Sequence, residues 1–458
     1  MKQNPAKKLF KIANLFLIFA FLLTAGFGCK NPNQQVQEYL KPITLNYWRV
    51  WDDNDAFDEI IADYQKLHPN IKINYRKFRA EEYEQELVNA FAEDRGPDIF
   101  SINEGWRKKY QAKIVPMPPQ ITLAYQKERG TIKKEVVSEL LTKPSPTLRQ
   151  LKENFADVVY KNAVIDGRVY GLPLSLETLI MYYNKDILNK AGVTEPPNNW
   201  TNFQEAVQKI TRFDDKGKII QSGAALGAAD NIDNVADILS ILIMQNGAEM
   251  ADANGYATFL SNNKDGYNPG VEAIKFYLDF ASPVKNVYNW NSEMPNSLEA
   301  FLAGRVAFVF SYNYYLPIIK SRAPKLNLGL APIPQVNPDA PVNYANYWLE
   351  TVSKKSTHQN EAWDFILFAT GKPEVEKFLS KTQRPTALKS LINGQLEVEA
   401  LHASAAQILT AQNWYQGRDL PAMEKIIKDM ISQLLKSTND REFENILRNS
   451  ILKVNQTI

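Results

Sequence analysis

The apolar residues between Ile43 and Phe100 switch between two periods, and that alternation limits the fold more than any other feature of the chain. Ile43-Thr-Leu-Asn-Tyr-Trp48 alternates apolar and polar residues, as a half-buried strand does, and Asp55 to Leu67 then places Phe57, Ile60, Ile61, Tyr64 and Leu67 on one helical face. Ile71-Lys-Ile-Asn-Tyr75 alternates again. Tyr83, Leu87 and Phe91 restore helical spacing within Glu82 to Glu93, and Pro97-Asp98-Ile99-Phe100 opens a third short apolar run. The order βαβαβ implies a parallel sheet covered by helices. Ligands of such sheets collect beyond the carboxyl ends of the strands, which puts Trp48 to Asp53 and Ser101 to Trp106 at the functional edge.

The remainder of the chain continues in the same idiom. Thr201 to Gln204 fits a capping box opening a helix that bears Phe203, Val207 and Ile210. Asp252-Ala-Asn-Gly255 is a turn signal; the acidic ligands a calcium loop would need afterwards are missing. Val271, Ile274, Leu278 and Ala281 mark another helix. Ala362 to Ala369 and Glu374 to Leu379 mark two more, with Gly371 placed to stop the first. A length of 458 residues accommodates two or three domains, and 45% hydrophobic with 23% charged residues supplies a sizeable core.

The amino-terminal segment is a different material. Residues 1–28 contain four lysines and no acidic residue, and the unbroken apolar run Leu15 to Leu23 follows them, which reads as an export signal. Thr24-Ala25-Gly26-Phe27-Gly28-Cys29 ends the run in small residues before the single cysteine and resembles the lipobox of bacterial lipoproteins. Gly26 departs from the aliphatic residue usual at its place, while Gly28 fits. The resemblance implies cleavage and acylation at Cys29, hence a membrane-lipid anchor; retention of the segment as a membrane anchor is the alternative. Residues 29–41, rich in Asn, Gln and Pro, read as the flexible tether. One cysteine excludes an internal disulfide and a cysteine-rich zinc site, and His68, His358 and His402 form no local ligand cluster, so no metal is expected. A formal net charge of +2 speaks against nucleic-acid binding.

Three groups of motifs then resemble, in order and spacing, the extracellular solute-binding proteins of ATP-driven importers, family 1, whose members take up maltose and other oligosaccharides. The first is Phe57 with His68-Pro-Asn-Ile-Lys-Ile73 and Pro97-Asp98-Ile99. The second is Asp166-Gly-Arg-Val-Tyr-Gly-Leu-Pro173, Met181-Tyr-Tyr-Asn-Lys-Asp186, Ala191-Gly192, Pro196-Pro197 and Trp200. The third is Phe301-Leu-Ala-Gly304-Arg-Val-Ala307, Pro332-Ile-Pro334 and Ala362-Trp-Asp-Phe-Ile366. Their local roles are mostly structural: Asp166-Gly167 is a hairpin turn, Asp186 can cap the helix after Asn184-Lys185, and Gly192 ends that helix. The resemblance implies an α/β, two-lobed, periplasmic-binding-protein-like fold of type II, each lobe a sheet flanked by helices. It divides the chain into a first lobe of residues 42–175 plus 352–397 and a second of 176–345 plus 398–458, with hinge crossings at 174–179 and 343–352. It also implies a monomer facing the outside of the cell, which captures a sugar or oligosaccharide without any cofactor and delivers it to an ABC permease with its ATPase. A non-sugar polar solute, or a surface lipoprotein using the same fold for adhesion or sensing, are the alternatives.

A carbohydrate offers hydroxyls at its edges and C–H faces between them, so its site needs flat rings and planar polar groups. Aromatic residues are 11% of the chain, and Trp51, Trp106, Tyr312, Tyr314, Trp348 and Trp414 fall at the cleft positions the resemblance implies, although any one of them could equally pack in a core. Trp48 reads as core. Trp51 beside Asp52 and Asp53 is a poor core position and a plausible site. Asn103 and Glu104, past the third strand, offer amide and carboxylate partners. Glu177 lies in the first crossing, where some sugar-binding relatives carry a ligand-binding carboxylate; the alternative is a solvated hinge residue. No Gly-x-Ser-x-Gly, phosphate-binding Gly-rich loop with Lys, or His-Glu-x-x-His is present, so a binding protein rather than an enzyme is expected.

Overall fold

The computed structural model describes residues 32–130 and 134–458. The export segment and Cys29 lie outside the described residues, and with them the expectations of cleavage and acylation. The chain enters the first lobe with β1 (Ile43–Val50), β2 (Ile71–Phe78), β3 (Ile99–Asn103) and β4 (Ile114–Val115), a long hairpin of β5 (Gln120–Arg129) and β6 (Glu135–Pro144), and a tight hairpin of β7 (Val164–Ile165) and β8 (Arg168–Val169). It crosses through β9 (Glu177–Thr178) into the second lobe. There it forms β10 (Ile180–Asn184), β11 (Arg212–Phe213), β12 (Ile219–Ala224), β13 (Val306–Ser311) and β14 (Leu328–Pro332). It returns through β15 (Asn343–Asn346) into β16 (Trp348–Ser353) and crosses a third time through β17 (Ala411–Gln412).

Each lobe carries one five-stranded sheet, ordered β2-β1-β3-β16-β4 in the first and β11-β12-β13-β10-β14 in the second; β17-β15-β9 join them as a three-stranded sheet. β1 runs parallel to β2 and to β3, as the βαβαβ pattern requires, and β16 adds antiparallel to β3. Leu45 and Tyr47 of β1 and Ile71 and Ile73 of β2 turn their alternate side chains onto the core, where Phe57 and, from the helix Asp58–Leu67 that follows it, Ile60 and Tyr64 meet them. Full burial of Phe57 and Ile60 is worth about 1.5–3 kcal/mol each. The second core centres on the helix Val235–Gln245, buried from Val235 to Ile243 on all sides except at Asp237. The carboxyl-terminal helices Leu420–Leu434 and Asp440–Gln456 close over it through Met423, Ile427, Leu447 and Val454.

Several local expectations are corrected. Pro32–Tyr39 is a helix in contact with the β5–β6 hairpin rather than part of a flexible tether, and the Asn70 amide holds the carbonyls of Tyr39 and Lys41 at 3.0 and 3.1 Å. The helix Trp200–Ile210 begins two residues earlier than the Thr201 capping box, because Asn199 accepts from the Asn202 amide at 2.8 Å. Asn184, not Asp186, caps the preceding helix, Lys185–Lys190, accepting from the amides of Asp186 and Ile187; Asp186 instead accepts from Asn327. The second crossing is confined to β15, since β16 is already paired to β3 along its length. Asp166 and Gly167 both have positive φ (48° and 71°) in the two-residue turn of β7–β8, the geometry such a turn requires.

Gly227 shows how tightly the second lobe is packed. Its φ is +97°, and a Cβ there would stand 2.5 Å from the backbone nitrogen of Ala281. Gly227→Ala is expected to cost about 2–3 kcal/mol, combining left-handed strain with a backbone clash. Urea unfolding would measure it, and a loss within experimental error would show that the two loops can part freely.

Candidate functional site

The residue after β1 is where the two lobes first meet. Trp51 is 45% exposed and adopts φ +78°, unusual for a bulky residue. Its ring stacks on Tyr314 of the second lobe (centroids 5.7 Å apart, planes at 20°), and Tyr314 stacks in turn on Tyr312 at 5.7 Å and 18°. Tyr314 is placed by the short turn Asn313–Tyr315 that follows β13. Tyr312 is fully buried, and its hydroxyl donates to Asp237 at 2.6 Å. A backbone held in a sparsely populated conformation so that a ring stands across an interlobe gap is the kind of outlier that accompanies binding sites.

Beneath this ladder runs a buried chain of charges. Asp52 accepts from Arg49 Nε at 3.0 Å through one carboxylate oxygen and from Arg384 Nε at 3.0 Å through the other, while its backbone carbonyl takes the Tyr75 hydroxyl at 2.7 Å. Arg384 reaches on to Glu177 in β9 (3.3 Å), and Glu177 accepts the backbone amide of Asn313 at 3.0 Å. At the other end Arg49 bonds Glu350 of β16, which also accepts from the Tyr47 and Ser101 hydroxyls at 2.7 and 2.6 Å. The chain Glu350–Arg49–Asp52–Arg384–Glu177 thus ties the first lobe through the crossing to the turn that carries Tyr314. A cavity of about 380 Å³ opens beside it, lined by Trp51, Asp52, Tyr314 and Arg384.

Past β3 the polar residues divide their roles. Asn103 caps the turn Glu104–Trp106 by accepting from the Gly105 amide at 3.0 Å and donates to Asn346 of β15 at 3.1 Å. Glu104 is buried, and burial pushes its carboxyl up to about 8, with Asp237 across the interface adding to the effect. The same cause raises Glu177 to about 7, Asp237 to about 6 and Glu424, on the helix Leu420–Leu434, to about 7. A second interlobe cavity of about 770 Å³ is lined by Arg107 and Lys161 of the first lobe and by Asn413 and Trp414 after β17.

The structure brings Trp51, Asp52, Glu177, Tyr312 and Tyr314 into one assembly, while Glu104 accepts the backbone amide of Tyr347 at 3.4 Å. Trp106 and Trp348 meet each other edge to face at 5.1 Å, and Tyr83 lies against both, in an aromatic cluster of the first lobe. Trp348 belongs to β16 rather than to a crossing. Trp414 sits in the second core with its indole nitrogen donating to Ser240 at 2.9 Å, one edge on the larger cavity. Sequence reasoning missed Arg49, Asp237, Glu350, Arg384 and Glu424. Only Arg49 carried any signal, a charge at an inward position of an alternating strand. Among the described residues no group of three or more His, Cys, Asp or Glu side chains is arranged to hold a metal ion.

Two α/β lobes linked by three crossing strands, with stacked aromatics and buried carboxylates at their junction, define a two-lobed solute-binding protein. Residues 51–376 match the bacterial extracellular solute-binding protein family, and the chain belongs to it. A binding protein of Brucella abortus is 27% identical over 334 residues, 70% of each chain. The galactooligosaccharide-binding protein of Bacillus subtilis is 21% identical over 428 residues, 92% of this chain and 90% of its own. Among solved structures, the cyclic α-maltosyl-1,6-maltose binding protein of Arthrobacter globiformis superposes with a TM-score of 0.70 at 18% identity, covering 91% of this chain and 99% of that one. No helix among the described residues is long and apolar enough to cross a membrane.

Proposed function

We propose that this protein is the substrate-binding component of an ABC importer, which captures a sugar or oligosaccharide between its lobes and delivers it to a membrane permease with its ATPase. The observation that carries the reading is the Trp51–Tyr314 stack, a pair of flat rings from opposite lobes poised over carboxylates and a guanidinium. A sugar ring inserted between them would stack its C–H faces while Asp52, Glu177, Arg384 and Glu104 take its hydroxyls. Asn103, Trp106 and Trp348 are then supports of the first-lobe edge, and Trp414 a wall of the larger cavity. The role is binding and release with no covalent step, so no cofactor or metal enters. The anchor in this reading is acylated Cys29, which two residues separate from the helix Pro32–Tyr39 and which would hold a monomer at the cell membrane, facing the extracellular or periplasmic side.

Ligand that binds only the native state must raise the melting temperature. A thermal-shift series over neutral saccharides and non-sugar polar solutes is expected to stabilise the protein with a saccharide. A shift confined to a non-sugar would sink the assignment. Trp51→Ala should weaken the saccharide that binds by roughly tenfold, about 1.4 kcal/mol, with the melting temperature of the free protein little changed, because Trp51 is half in solvent. Unaltered affinity would place the ligand away from the ladder.

A further inference from the structure

The larger cavity between the lobes, about 770 Å³, has in its wall a cation that the protein itself leaves unanswered. Arg107, in the helix Arg107–Tyr110 that follows β3, is partly buried there. From one terminal nitrogen it donates to the side-chain carbonyl of Gln416, a neutral partner beyond β17. Its Nε is buried without a hydrogen-bond partner, and among the described residues no carboxylate pairs with it. The surrounding cations differ. Arg49 has Asp52 and Glu350, Arg384 has Asp52 and Glu177, and Lys109, two residues along the same helix, has Glu84 at 2.6 Å. Burial with no opposite charge holds Arg107 below the usual guanidinium range, and a group so placed destabilises the fold until a counter-charge meets it.

The rest of the wall indicates what that counter-charge belongs to. Lys108 and, from the helix Asp157–Ala163, Lys161 join Arg107 on the first-lobe side, and neither forms an ion pair among the described residues. Glu249 and Asp252 stand on the second-lobe side, both exposed, and they pair with none of the three; Asp252 instead takes the amides of Asn254 and Tyr256 at 2.8 and 2.9 Å. Gln111 and Gln412 add planar amides and Trp414 an indole. Amides and an indole suit the hydroxyls and C–H faces of a sugar, while the guanidinium fork matches the two oxygens of a carboxylate. A neutral sugar would leave Arg107 without its counter-charge, and an amine-bearing one would bring a like charge to it.

Resting on the saccharide reading above, we infer that the guest is an acidic saccharide, its carboxylate seated at Arg107 in the larger cavity with Lys108 and Lys161 beside it, and that amine-bearing saccharides are disfavoured. The test is a calorimetric and thermal-shift comparison of matched sets at neutral pH: glucose, glucuronate and glucosamine, with the galacto and manno equivalents, the same sets as disaccharides, and citrate as a carboxylate that is not a sugar. In whichever series binds, the uronate is expected to bind roughly tenfold or more tighter than its neutral parent, and the amine member most weakly. Arg107→Gln should bring the uronate down to about the affinity of that parent. Should this variant fold poorly, Lys161→Gln, at an exposed position, should narrow the gap measurably. A neutral or amine member that binds as tightly as the uronate, or a uronate preference that persists undiminished in the folded variant, overturns this inference and leaves the saccharide reading standing. A shift with citrate and with no saccharide, or silence from every compound, overturns both.

Discussion

Replacing Arg49 with methionine is expected to remove about 3–5 kcal/mol of folding stability. The guanidinium is 5% exposed and satisfies Asp52 through Nε at 3.0 Å and Glu350 through a terminal nitrogen. Methionine fills much of the same volume, so the loss is electrostatic: two carboxylates stay buried with their cation gone. Glu350 keeps the Tyr47 and Ser101 hydroxyls, and Asp52 keeps Arg384, which prevents outright collapse. The double variant Arg49→Met with Glu350→Gln should recover a substantial part of the loss, because an amide at that place carries no charge to leave unpaired. Urea unfolding followed by tryptophan fluorescence would read both. A single-variant loss below about 1 kcal/mol, the scale of a surface pair, would mean that water reaches the pair and that the chain of charges does not brace the lobe.

The stability of the ligand-free protein should fall as the solution is made alkaline. Glu104, Glu177, Asp237 and Glu424 all have folded values raised by burial, to about 8, 7, 6 and 7. Between the ordinary carboxyl range and those values the folded state holds protons that the unfolded chain has released, so the slope of unfolding free energy with pH is negative there. Their contribution is complete below about pH 4 and is lost as pH rises through about 6 to 8. Each tenfold change in proton affinity is worth about 1.4 kcal/mol, so the four together bear on several kcal/mol. Separation of the lobes can relieve part of it, since Glu104 and Asp237 regain water when they part. The expected result is a melting temperature that declines from about pH 5 to about pH 8, with a larger radius of gyration by X-ray scattering at the alkaline end. Glu104→Gln should flatten the decline. A melting temperature level or rising across that range would show that these carboxyls ionise freely in the folded state.

Much of the fold was legible because its signals are local. The alternation from Ile43 to Phe100 defined β1 to β3 and their two covering helices, and the parallel pairing of β1 with β2 and β3 followed from their order. Asp166-Gly167 announced its turn through the conformations only such residues adopt easily. The helix starts were less legible. Asn184 and Asn199 compete with neighbouring Asp and Thr residues for the same amide donors, and which side chain wins depends on where the preceding strand delivers the chain. The helix Pro32–Tyr39 escaped because a polar segment gains its order from contact with the β5–β6 hairpin, more than eighty residues away.

The site divides along the same line. By itself the sequence determined which residue types stand at the carboxyl ends of β1, β3 and β13: Trp51 with Asp52, Asn103 with Glu104, and the run Tyr312 to Tyr315. Strand ends and the residues after them are set by short-range periodicity. Only the tertiary structure decided which of these face one another and which cations answer them. It turned Trp106 and Trp348 onto each other, brought Trp51 to Tyr314, and joined Arg49 to Glu350 and Asp52 to Arg384 across 301 and 332 residues. Pairing of charges at such separations leaves no trace in local pattern, because what selects the partner is burial shared by distant segments, and burial exists only once both sheets and the strands between them have closed.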